Sequence, residues 1–139
     1  MANPLATYNL GMGQYGRAAV YATKCFLQGK CSTLRDAWDF AVAQHSDKIS
    51  SQVKACPREA YLALCDAGLV KGVVARNGGI PTNTVNGQYA VEAYRLLKEN
   101  PNLASDKKAL WDAIPDKTAK SENGQMDVVL TLYSAGQLK

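Results

Sequence analysis

The chain has 139 residues, with 16 Lys or Arg against 12 Asp or Glu for a net charge of +4, and 47% of its residues are hydrophobic. That length suits one domain burying roughly two-thirds of its unfolded surface, and the composition excludes a disordered or fibrous chain. No apolar run reaches the roughly 18 residues of a membrane-spanning helix, and Met1–Ala6 lacks the basic and apolar blocks of a signal peptide. The expectation is a cytoplasmic chain with no membrane partner, whose four cysteines (Cys25, Cys31, Cys56 and Cys65) remain thiols.

Residues 1–13 read as a loosely ordered, glycine-rich lead-in to a single domain over 1–139. Tyr15, Ala18, Ala19, Ala22, Cys25 and Phe26 then recur at helical spacing, predicting a first helix that ends near Gly29. Thr33 with Asp36 is a capping-box variant, and Leu34, Ala37, Trp38, Ala41 and Val42 carry a second helix to His45. Cys56-Pro57 opens a third, with proline taken as its first residue, and Gly68 stops it. The β-branched run Leu69–Ala75, the turn signal Asn77-Gly78 and Ile80–Val85 predict a small β-hairpin. A fourth helix is expected from Gln88 to Asn100-Pro101, a short fifth capped by Ser105, and a last from Gln125 to Ala135. The fold class is therefore mainly α, about six helices around one core with one hairpin. Glu59–Lys71 also aligns with Asp127–Lys139, as two helices converging on the same Ala-Gly stop rather than as a duplication.

Gly11-Met12-Gly13-Gln14-Tyr15-Gly16 spells the glycine fingerprint of dinucleotide-binding folds, with Asp36 twenty residues further on. That chemistry requires a strand before the glycines and an acid ending a second strand; neither is visible, so no cofactor is expected. The spacings Cys25-x5-Cys31 and Cys56-x8-Cys65, with His45 the sole histidine, do not describe a metal site. Cys56, at a helix start between Lys54 and Arg58, is the one thiol placed for reactivity, which keeps a cysteine-dependent enzyme among the alternatives; no catalytic residue is assigned.

Between Lys48 and Arg76 there are five basic residues and two acidic ones. Helix two, helix three and the hairpin follow the order of a winged helix in this middle third. A nucleic-acid surface would then use Lys54, Arg58, Lys71 and Arg76, through backbone charge more than base readout, because Glu59 and Asp66 share the outer face of helix three.

Three stretches carry a resemblance: Tyr15-Gly16-Arg17-Ala18-Ala19-Val20; Cys56-Pro57-Arg58-Glu59-Ala60-Tyr61-Leu62-Ala63-Leu64-Cys65 through Gly68-Leu69-Val70-Lys71-Gly72; and Asn123-Gly124-Gln125-Met126-Asp127-Val128-Val129-Leu130. They resemble an uncharacterised family of small bacterial or phage-derived proteins. The resemblance implies an intact single domain and no activity or site residue. Read physically, Asn123 and Gln125 fix the loop before the last helix, and Asn123, Gln125 and Asp127 beside Cys56 and Arg58 would form a polar cleft between two helix starts. The leading functional expectation is a non-catalytic protein-interaction module that binds a partner or itself through an apolar patch near Trp38 or Trp111, ahead of nucleic-acid binding.

Overall fold

A computed structural model describes residues 13–79 and 84–139. Most of the expected lead-in, residues 1–12, and residues 80–83 of the expected hairpin lie outside them. Among the described residues there are six helices: α1 (Gln14–Leu27), α2 (Leu34–His45), α3 (Ala55–Asp66), α4 (Val85–Glu99), α5 (Lys107–Ala113) and α6 (Gln125–Ser134). A single helical turn at Ile49–Gln52 and two 3-10 segments, Asn77–Gly79 and Pro101–Ser105, complete them.

Local chemistry sets most of these boundaries. Thr33 Oγ1 accepts from Asp36 N at 3.0 Å and starts α2, and Thr84 Oγ1 accepts from Gly87 N at 3.0 Å and starts α4. Asp106 Oδ1, rather than Ser105, caps α5 by accepting from Ala109 N at 3.1 Å. Pro57 falls at the third position of α3, still inside the first turn where its missing N–H costs nothing.

The element at the centre is α6. Every residue from Gln125 to Leu132 is buried, so the helix is covered on all sides. It packs against α1, α3, α4 and α5, while α2 lies along α1 and α3 along α4. Small residues let these axes approach: Gly16, Ala18, Ala19 and Ala22 are buried on α1, and Ala90 and Ala93 on α4. Between the pairs, the rings of Trp38 and Tyr61 stack with centroids 5.3 Å apart, and Tyr61 shares a 2.8 Å hydrogen bond with Thr23 Oγ1.

The expected hairpin is absent from the described residues, and with it the wing of a winged helix. Val70 forms an isolated antiparallel bridge with Leu138. Lys71 N donates to Gln137 O at 2.7 Å and Lys139 N to Leu69 O at 2.9 Å. The chain after Val73 turns back onto α3: Arg76 N donates to Asp66 O at 2.9 Å, and Asn77–Gly79 closes as a 3-10 turn with both glycines at positive φ. Val85, expected as strand, is the first residue of α4 because Thr84 caps the helix there.

Candidate functional site

Helix starts leave N–H groups without intrahelical partners, and here neighbouring segments supply the acceptors. Asp127, in the first turn of α6 and 6% exposed, accepts from Gly13 N at 2.8 Å and Gly16 N at 2.9 Å, and so caps α1 across the fold. Glu122 Oε1 accepts from Gly124 N at 2.5 Å and Met126 N at 3.1 Å, capping α6. Gln125 is buried; its Oε1 accepts from Asn123 N at 2.6 Å and its Nε2 donates to Asn86 Oδ1 at 2.7 Å. Asn86 in turn donates to Glu59 Oε1 at 2.7 Å, so one polar chain ties the starts of α6 and α4 to α3.

These contacts explain the glycine fingerprint. A Cβ at position 13 would lie 2.7 Å from Asp127 Oδ2, and one at position 16 would lie 2.6 Å from Asp127 O. Gly13 and Gly16 admit close approach of α6, and the Asp127 carboxylate occupies the helix start where a dinucleotide's pyrophosphate would need to sit. Gly11 and Met12 lie outside the described residues.

Around this arrangement opens a cleft of about 540 Å³, lined by Gly13, Gln14, Tyr15 and Arg17 of α1, Lys54 before α3, Lys107 opening α5, and Glu122, Asn123, Gly124 and Asp127. Of the residues expected to form a polar cleft, Asn123 and Asp127 line it and Gln125 is buried beside them. Cys56 and Arg58 are not among its lining. Arg58 lines a separate depression of about 190 Å³ with Arg35, Asp39, Gln52 and Val53, and its Nη1 donates to Val53 O at 3.4 Å. Among the four basic residues singled out in the sequence, Lys54 and Arg58 stand at the start of α3, with Lys54 Nζ 5.6 Å from the Tyr15 ring centre. Lys71 and Arg76 follow its far end, roughly 18 Å away along a helix of 12 residues, and Arg76 Nε lies 3.8 Å from Asp66. Tyr15, Arg17, Lys107 and Glu122 are cleft residues the sequence does not announce, because only the tertiary fold brings their elements together.

A second concavity, about 360 Å³, runs between the end of α1, the start of α2 and the loop after α3, with Phe26, Leu34, Val73 and Val74 as its apolar lining and Arg76 at its edge. Val74 is 84% exposed and Leu27 50%. Leu27 closes over Gly72, where an added Cβ would meet its Cδ1 at 3.1 Å. Phe40, Ile49, Val53 and Val85 are also exposed. Of the two expected sites, Trp38 is fully buried, while Trp111, 4% exposed, lines a third depression of about 290 Å³ with Lys107, Lys108, Asp112, Lys120, Ser121 and Glu122. The cause is packing: Trp38 stacks on Tyr61, and Trp111 meets Tyr89 edge-on at 5.2 Å.

The four cysteines are free thiols. Burial pushes the Cys65 thiol up to about 12 and holds the Tyr61 hydroxyl well above its ordinary value. The His45 ring is engaged on its own helix, with Nδ1 2.8 Å from Ala41 O and its edge against Tyr21. Among the described residues no three His, Cys, Asp or Glu side chains are grouped to hold a metal ion, and no helix is long and apolar enough to cross a membrane.

No curated protein and no solved structure matches the chain. One family model does, over residues 12–139, nearly the full length. The chain therefore belongs to that family, the family of unknown function DUF6979.

Proposed function

We propose that the chain is a non-catalytic protein-interaction module that docks a partner segment in the groove between α1, α2 and the loop after α3. The observation carrying this reading is the exposure of Val74, 84%, in the lining of a preformed, largely apolar groove. Apolar area left in water forgoes about 25 cal/mol per Å², and a concave patch of this kind is what a partner's side chain recovers on binding. Charge complements it: Lys71 precedes the groove, Arg76 lines it while 3.8 Å from Asp66, and no acidic side chain is among its lining residues. The partner that fits is an extended or helical segment with an aliphatic or aromatic anchor flanked by Asp or Glu.

The test is selection of a displayed peptide library on the purified protein, followed by binding measurements on the enriched peptides. Peptides combining an apolar anchor with acidic flanks are expected, with binding weakened at least about tenfold by Val74→Glu and measurably by Lys71→Ala/Arg76→Ala. Enriched peptides indifferent to Val74→Glu, or no enrichment at all, would overturn the reading. A labelled DNA duplex in the same assay addresses the nucleic-acid alternative: binding that falls steeply with salt and is lost in Lys71→Ala/Arg76→Ala would favour it instead.

A further inference from the structure

We infer that the cleft at the starts of α1, α3, α5 and α6 binds a small phosphorylated ligand, held by Lys54 and Lys107 with Arg17 beside them. Three cations from three separate elements line one concavity of about 540 Å³, within the range of small-molecule sites. Several cations elsewhere have a carboxylate close by. Arg35 lies 3.3 Å from Asp39, Arg76 3.8 Å from Asp66 and Lys108 2.6 Å from Asp112, while Arg95 pairs with Glu92 and Glu99. Among the described residues, Lys54 and Lys107 have no carboxylate within 4.0 Å, although Glu122 and Asp127 line the same cleft.

Within the cleft the two carboxylates are engaged elsewhere. Glu122 is turned onto Gly124 N and Met126 N, and Asp127 onto Gly13 N and Gly16 N. Both carboxylates are turned onto backbone N–H groups; they keep their charges, so the cleft carries three cations against two carboxylates, with neither carboxylate within 4.0 Å of Lys54 or Lys107. That balance leaves one net positive charge on the lining, and an anion seated between the two lysines, away from the capping carboxylates, is attracted there. Lysines presented from separate elements suit a phosphoryl group, which accepts from several directions at once.

The experiment is calorimetric titration of the full chain with inorganic pyrophosphate and with ATP at low and physiological salt. It compares wild type, Lys54→Gln/Lys107→Gln, and Lys98→Gln, whose lysine lies over Tyr94 on α4 and does not line the cleft. Wild type and Lys98→Gln are expected to bind alike, and the double variant at least about tenfold more weakly with its melting temperature preserved. Pyrophosphate binding as well as ATP would assign recognition to the phosphoryl groups alone; ATP without pyrophosphate would add the nucleoside, and both outcomes support the site. Absence of binding to either probe at millimolar concentration, or equal weakening in Lys98→Gln, would overturn it. So would a DNA duplex that binds more tightly than ATP through the same two lysines. Val74→Glu leaves this binding unchanged, which separates the cleft from the apolar groove.

Discussion

At the scale of single residues, Asp127 shows how one side chain joins distant parts of the sequence. Asn123, Gln125 and Asp127 are legible as a polar group at a helix start, but their partners are not. The hydrogen bond from Gly13 to Asp127 spans 114 positions, and no local spacing reports it. Likewise Cys56 and Arg58 share a helix start with Lys54, yet only Lys54 lines the cleft. The capping role gives a prediction. Asp127→Ala leaves two N–H groups of α1 without acceptors and removes a negative charge from two helix starts, for a cost of about 2–3 kcal/mol in urea unfolding. Asp127→Asn retains one acceptor oxygen and should lose roughly half as much. Equal stability of wild type and Asp127→Ala would show that the cap contributes nothing.

At the scale of elements, helices were readable and the strand was not, for the same reason in both cases. Apolar periodicity and capping residues are local signals, and they place α1, α2 and α6 to within a residue or two. The β-branched run after Gly68 is also a local signal, but a strand is made by its partner, and the partner of Val70 is Leu138. The two Ala-Gly helix ends that align in the sequence turn out to be that pair. In each, glycine takes positive φ, at +76° for Gly68 and +72° for Gly136. Their hydrogen bonds also correspond: Gly68 N to Cys65 O and Leu69 N to Leu64 O in one, Gly136 N to Tyr133 O and Gln137 N to Leu132 O in the other. The two exits then run antiparallel and meet at the equivalent residues Val70 and Leu138. Space differs, however, since an added Cβ at Gly136 meets nothing within 4 Å, whereas one at Gly68 lies 2.8 Å from Ala75 Cβ. Gly136→Ala should cost about 1 kcal/mol from backbone conformation alone. Gly68→Ala should cost about 2 kcal/mol or more, because the returning loop must also shift. Denaturant midpoints of the two variants check the order, and the reverse order would contradict the packing of that loop.

At the scale of the whole molecule, burial of α6 organises the core and leaves titratable groups inside it. The apolar run Met126–Leu132 is interrupted only by Asp127 and Thr131, both buried, so the central helix is visible in the sequence as the one without a solvent face. Its neighbour α3 contributes Tyr61, hydrogen-bonded to Thr23, and Cys65, both fully buried. Desolvation disfavours their charged forms, moving the Cys65 thiol from its ordinary 9.0 to about 12 and the Tyr61 hydroxyl well above its ordinary 10.0. Above about pH 9 the unfolded chain releases the Cys65 proton while the folded chain keeps it, so the folded state binds more protons. The stability these groups provide is complete below their ordinary values and declines as pH rises toward 12. Each group adds at most about 1.4 kcal/mol of loss per pH unit within its window. Urea midpoints measured from about pH 8 to about pH 10.5 should therefore fall more steeply for wild type than for Cys65→Ala, whatever the neutral-pH difference between them. Parallel slopes would mean that the thiol ionises in the folded state, and hence that water reaches the space between α3 and α1.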